Sequence, residues 1–501
     1  MAFCRTGESP NILWICTDQQ RWDTLGCYGN PHVHTPNLDR LAAGGVIFDH
    51  AYCQSPVCTP SRASFLTGRY PRTTRCRQNG QNIPADELLV TKLLADAGYI
   101  GGLAGKLHLA ACHPDAAPLG EPRIDDGYTL FHWSHTPLPS KVMDTANASL
   151  GELAVWPTNE YAAWLHEQGA RYQRVPLAET PYVQTGMPAD LHQTTWCVNK
   201  AITFMEANAG GERPWFFSVN PFDPHHPFDP PADFLARYLD KLDQLPRPNY
   251  VPGELETKSI FQQLDHQGAY NNGELYPFAA MGEQDHRLLT AAYYAMIDLI
   301  DVQVGRLLET LERTGQRENT LVLFMSDHGE MLGDHGIYLK GPYFYEPAVR
   351  VPLIFSWPGT LEGGRRSSAL VELTDLAPSL LDAAGLPRGP GMQGHSLCPQ
   401  LIGAADLDHH REDVYCEYFN AMPWHQRPRP NLTMVRTATH KLVLAHHLAT
   451  GELYDLTADP AETHNLWDDP ARAEIKADLL LRLTDRMAGT VDPLPPRLAD
   501  W

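Results

Sequence analysis

The chain has 501 residues, with 60 acidic against 39 basic side chains, a formal net charge of −21, 43% hydrophobic and 20% charged residues. This describes a globular protein long enough for a sizeable core and two or more domains, and it disfavours nucleic acid or an anionic membrane as partner. An acidic chain that binds an anion must invert its field locally, so any tight cluster of basic side chains is informative.

From Met1 to Pro10 there is neither a basic start nor an apolar run. No signal peptide is expected, and a cytoplasmic location follows. No stretch has the length of apolar residues needed to span a bilayer. The ten cysteines (Cys4, Cys16, Cys27, Cys53, Cys58, Cys76, Cys112, Cys197, Cys398 and Cys416) include no CxxC pair, so reduced thiols are expected.

In chain order, 11–17 is a nearly continuous apolar run, the pattern of a strand buried on both faces, and it ends in Asp18-Gln19-Gln20. A Pro-first helix over 36–43 is stopped by Gly44-Gly45, and a strand over 46–52 leads into the loop of Cys58. A helix over 88–97 precedes a strand over 100–103, which runs into Gly105-Lys106-Leu107-His108-Leu109. From Cys112 to Pro188 periodicity is weak, with one helical piece near 160–172. A helix over 190–207 and a strand over 215–219 then deliver Asp223-Pro224-His225-His226-Pro227. The segment 230–284 is rich in Pro, Asn and Gly and too long for a simple connection.

The clearest helix covers 287–312, with Leu289, Tyr293, Ile297, Ile300, Val304, Leu307 and Leu311 at helical spacing. A strand over 320–325 emerges at Ser326-Asp327-His328-Gly329-Glu330. A strand over 351–357 and a helix over 376–384 follow. After Gly403, short strands over 414–419, 433–436, 441–445 and 452–456 precede a helix over 471–487. The alternation predicts an α/β fold with a large mixed, mostly parallel sheet covered by helices, residues 1–403, and a C-terminal subdomain, 404–501, with a small antiparallel sheet and a helix.

Asp18 and Asp327 sit at ends of predicted apolar strands, where ligands bind in open α/β sheets. With His328 they read as a metal site, although Asp18 alone reads equally as a strand-end turn former. Lys106 and His108, alternate residues at a strand end, are expected to point the same way. Pro60 fits the first turn of a helix whose N-terminus favours an anion, and Arg62 is expected within a short turn of Cys58.

The run Ser55-Pro56-Val57-Cys58-Thr59-Pro60-Ser61-Arg62, continuing to Thr67-Gly68-Arg69, resembles the signature of the sulfatase family. Glu452-Leu453-Tyr454-Asp455-Leu456 and its sequel resemble the family's C-terminal region, so the likeness covers nearly the whole chain. It implies an alkaline phosphatase-like sheet and a Cys58 oxidised by a formylglycine-generating maturation enzyme. It also implies a divalent metal held by Asp18, Gln19, Asp327, His328 and the residue-58 oxygen. Gln19 stands where the family commonly has a second Asp, which removes one negative charge. Oxygen-rich ligation favours calcium, and the imidazole keeps manganese open.

The resemblance further makes Cys58, Arg62, Lys106, His108, His225 and Lys340 the catalytic set, and Asn79, Lys106, His225 and Lys340 the substrate contacts. Lys106 would hold a sulfate oxygen, His108 take a proton from the hydrated aldehyde, and His225 and Lys340 act at the leaving group. The expected reaction is hydrolysis of a small-molecule sulfate ester, arylsulfatase-like. Two readings stand beside it: a phosphonate monoester or phosphodiester hydrolase of the same superfamily, and an anion-binding protein with an unmodified Cys58. Retention of Lys106 and His108 favours the sulfatase reading. The long insertions suit a homodimer or tetramer.

Overall fold

A computed structural model describes residues 9–113, 115–137 and 158–495. Cys4, the start of the chain and the middle of the first insertion lie outside the described residues. The first strands and helix form where the pattern places them: β1 Asn11–Thr17, the helix Pro36–Ala43 and β2 Val46–Tyr52. β3 Ile100–Gly105 and β4 Leu130–Trp133 follow, then a short hairpin, β5 Val175–Pro176 with β6 Gln184–Thr185. β7 is Trp215–Asn220, β8 Thr320–Ser326, β9 Arg350–Val351, β10 Leu353–Ser356 and β11 Arg365–Glu372.

All of these strands except the β5–β6 hairpin build a nine-stranded sheet in the order β11-β2-β10-β8-β1-β7-β3-β4, with β9 beside β2. Most pairs are parallel, while β10 runs antiparallel to β2 and β8. The strand expected over 351–357 is two strands. Pro352 lacks the N–H that would continue the ladder, so β9 and β10 separate there. Two strands of this sheet, β4 and β11, and the β5–β6 hairpin outside it have no legible sequence pattern. β4 is a short edge strand, and β11 opens on Arg365-Arg366-Ser367-Ser368, whose polarity hides its pairing with β2. Helices Ala232–Leu239 and Ile260–His266 fill part of the Pro-rich insertion.

The expected helix over 287–312 extends to Glu283–Arg313. Its most apolar stretch is long enough by length and composition to cross a membrane, which the sequence pattern did not suggest because Asp298 and Asp301 interrupt it. That stretch is 94% buried within the protein, so it is a core helix. Both aspartates have partners: Asp298 accepts from Tyr238 Oη at 2.8 Å and Asp301 from the Leu38 N–H at 2.7 Å. The second sheet, in the order β12-β13-β14-β15, comprises Asp413–Phe419, Asn431–Thr437, His440–Ala445 and Thr450–Asp455. The helix Ala473–Gly489 covers it, burying Leu479 and Leu483 against Tyr415, Val435, Leu442 and Leu453.

The register of the large sheet positions the chemistry. β1 and β8 are parallel neighbours with Thr17 opposite Ser326, so Asp18 and Asp327 leave the sheet side by side. Gly105 pairs with Asn220, so the segments carrying Lys106 and His225 emerge at the same edge. Gly105 has φ +108°, and a Cβ there would lie 2.0 Å from the Asn220 carbonyl oxygen. Gly105→Ala is therefore expected to destabilise the fold by about 2 kcal/mol or more, read from urea unfolding, because both the backbone region and the space exclude a side chain.

Candidate active site

Cys58 opens the helix Cys58–Thr67, which is buried throughout. Asn79 Oδ1 accepts from the Thr59 N–H at 3.0 Å and so caps the first turn. The capping oxygen faces the helix backbone, so Asn79 positions Cys58; the substrate contact expected of it would fall to its remaining amide nitrogen. Ser61, inside the signature, donates its hydroxyl to the Asp327 carbonyl at 2.6 Å and ties this helix to the end of β8.

Asp18, Cys58, Asp327 and His328 bring one ligand atom each within 4.8 Å of one another, and all four are buried. Cys58 Sγ lies 3.7 Å from Asp18 Oδ1 and 3.2 Å from His328 Nε2. The other nitrogen of His328 lies 2.9 Å from the Gly329 carbonyl, which orients Nε2 into the cluster. The donor set of two carboxylates, one imidazole and the residue-58 atom fits a divalent cation. Gln19, at φ +66°, sits at the rim. Its Oε1 accepts from Lys340 Nζ at 2.7 Å, its Nε2 donates to Glu330 Oε2, and its own N–H donates to Asp327 Oδ1 at 3.0 Å.

The cations surround this cluster. Lys340 Nζ is 3.1 Å and Lys106 Nζ 3.5 Å from Cys58 Sγ, and Lys106 also donates to Asp18 Oδ2. Burial opposes ionisation of the Cys58 thiol, but Lys106, Lys340 and His328 outweigh it and hold its pKa well below the ordinary value. Asp18 shows the same contest: burial and Cys58 push its carboxyl up, Lys106 and His225 pull it down, and it settles at about 2. Cys58 acts to raise the pKa of both His108 and His225, but burial and the lysines outweigh it. Burial and then Lys106 lower His108 to about 4, and burial and then Lys340 lower His225 to about 4. Burial works against the imidazolium of His328 as well, but there Asp327 prevails and the pKa is raised.

Lys106 and His108 converge as expected but for a different reason. β3 ends at Gly105, and the positive φ of Gly105 and of His108, +108° and +56°, turns both side chains towards Cys58. Arg62 differs more. Its Nε donates to Asp327 Oδ2 at 2.8 Å, its Nη1 to the Lys106 carbonyl at 2.9 Å, and its Nη2 lies 3.5 Å from Asp18 Oδ2. The guanidinium braces the two carboxylates, because a side chain four residues along the helix points at the strand ends the helix packs on. His225 Nε2 lies 2.8 Å from Lys340 Nζ, and its ring stacks on His226 at 4.1 Å between centroids.

Two residues of this arrangement were not legible as such. His226 reads only as the residue between His225 and Pro227, yet its Nδ1 lies 3.5 Å from Gln19 Nε2. Glu330 accepts from the Leu332 N–H at 2.8 Å and from the Leu339 N–H, as well as from Gln19, so one fully buried carboxylate fixes both Gln19 and the loop of Lys340. Its position next to the Asp327-His328 run was the only available signal.

A family model described as Sulfatase matches residues 10–386, and one described as N-sulphoglucosamine sulphohydrolase, C-terminal, matches residues 333–488. The chain is 30% identical to an uncharacterized sulfatase, YidJ, of Escherichia coli (strain K12), covering 97% of this chain and 88% of that one. It is 29% identical to an arylsulfatase of Clostridium perfringens (strain 13 / Type A), covering 96% of each. Among solved structures it is similar to the phosphonate monoester hydrolase SpPMH from Silicibacter pomeroyi, with TM-score 0.81, 26% identity and 96% of each chain covered.

Arg62 is 1% exposed and balances two buried carboxylates. Arg62→Met should lower stability by about 3–5 kcal/mol in urea unfolding, since it strips buried Asp327 of its guanidinium partner and leaves Asp18 to Lys106 alone.

Proposed function

The chain belongs to the sulfatase family and is a sulfuric ester hydrolase, and we propose that it hydrolyses a small-molecule sulfate monoester with a formylglycine made from Cys58 as nucleophile. The observation that carries the reading is the convergence of Lys106, His108, His225 and Lys340 on one buried cysteine in a chain of formal net charge −21. A hydrated aldehyde offers one hydroxyl as nucleophile and a second whose loss of a proton collapses the ester afterwards. A divalent cation, calcium first and manganese second, would be held by Asp18, Gln19, Asp327 and His328 and would lower the charge barrier to attack.

The chain's own groups divide the remaining work. Lys106 and Lys340 flank residue 58 and suit the non-bridging oxygens of a sulfate. His108, kept neutral by burial and Lys106, is the base for the second hydroxyl. Protonation of the departing oxygen would fall to His225 and Lys340, which lie 2.8 Å apart. Cys58 is 1% exposed, so a maturation enzyme would need it before the chain closes. Likeness in shape to a phosphonate monoester hydrolase, together with Gln19 at the metal rim, favours a second reading in which the same nucleophile acts on phosphonate monoesters.

Cys58→Ala should abolish turnover and leave the unfolding curve intact, and the Cys58 peptide of active enzyme should carry the mass of an aldehyde; full activity with an intact thiol would remove the formylglycine reading. Chelation should silence the enzyme, with recovery on adding calcium or manganese. Lys106→Ala should cost about a hundredfold in kcat/KM for 4-nitrophenyl sulfate. A higher kcat/KM for a phenylphosphonate monoester than for the sulfate would make the second reading the primary one.

A further inference from the structure

Next to Cys58 lies a second group of ligand atoms. His108, Cys112 and His135 bring one donor each within 4.8 Å of one another. The two histidines come from the ends of adjacent parallel strands, β3 and β4, and their rings meet edge to face at 4.4 Å between centroids. Both histidines are at least nine-tenths buried, whereas Cys112 is half-buried on the loop that reaches solvent at His113. The Nδ1 of His108, buried, has no hydrogen-bond partner.

The scaffold of this group is rigid. Glu121 accepts from the His108 N–H at 2.9 Å, from the Ala110 N–H at 3.2 Å and from Trp133 Nε1 at 3.0 Å, so one buried carboxylate holds the loop of His108 and Cys112 and the strand end before His135. It also places a negative charge beside the cluster. Two imidazoles and a thiol are a donor set for zinc, with a fourth position left to water.

We propose that His108, Cys112 and His135 form a zinc site distinct from the Asp18/Asp327 centre, and that zinc bound there inhibits the enzyme. Binding replaces the Cys112 thiol proton, now donated to the Ala110 carbonyl, and releases it to solvent. A neutral imidazole bound through Nδ1 carries its hydrogen on Nε2. His108 then cannot accept a proton from residue 58. The site itself stands independently of the function proposed above, whereas the inhibition rests on His108 acting as the base.

Both halves are tested with the full-length chain. Cys58→Ala protein, which has no thiol at the other centre, is titrated with Co2+. It should show thiolate-to-cobalt charge-transfer absorption that Zn2+ removes, and adding Cys112→Ala should abolish that absorption. No such band in the first protein, or its survival in the second, overturns the site. For the matured enzyme under saturating calcium, Zn2+ should inhibit hydrolysis of 4-nitrophenyl sulfate. Cys112→Ala, and independently His135→Asn, should raise the half-inhibiting Zn2+ concentration by about tenfold or more. An unchanged half-inhibiting concentration in both variants overturns the inhibitory role while leaving the sulfatase reading intact.

Discussion

Asp18 and Asp327 are both fully buried and emerge side by side from neighbouring strands, an arrangement that self-repulsion would break without a cation between them. Arg62 supplies that cation from the helix that Cys58 opens. One guanidinium therefore couples the helix of Cys58, the two carboxylates and, through the Lys106 carbonyl, the end of β3. The rest of the site is built on this triangle. Lys106 reaches Asp18 and Cys58 because its carbonyl is pinned by Arg62 and by Asn220 Nδ2 at 2.8 Å.

Buried carboxylates also organise the loops around the triangle. Glu330 fixes Gln19 and the approach to Lys340, and Glu121 fixes the loop of His108. Burial raises the pKa of both, because a desolvated carboxylate is costly to keep charged. Several N–H donors on each carboxylate offset that cost. The second sheet contributes at a distance. Lys441 from β14 pairs with Glu346 at 2.9 Å and donates to the Phe344 carbonyl at 2.8 Å, anchoring the segment just after Lys340.

Much of the arrangement was legible because apolar runs end abruptly in polar residues. The pattern over 11–17 and 320–325 predicts two buried strands, and the residues that follow, Asp18 and Asp327-His328, are the ones the structure brings together. β11 and β4 were not legible, since one begins with two arginines and two serines and the other is a short edge strand. Their pairing is paid back by neighbours distant in sequence, so no local pattern marks it.

By itself the sequence determined the class of fold, the strand ends that carry the polar groups and the family signature around Cys58, because hydrophobic periodicity and a contiguous motif are local properties. Only the tertiary structure decided what each polar side chain faces. It turned Arg62 onto carboxylates, gave Asn79 Oδ1 to a helix cap, and brought Glu330 and His226 to Gln19. It also set Cys112 and His135 beside His108, which no spacing in the chain suggests. Directions of this kind depend on sheet register and on left-handed turns at Gln19, Gly105 and His108, and these are fixed by packing between segments far apart in the chain.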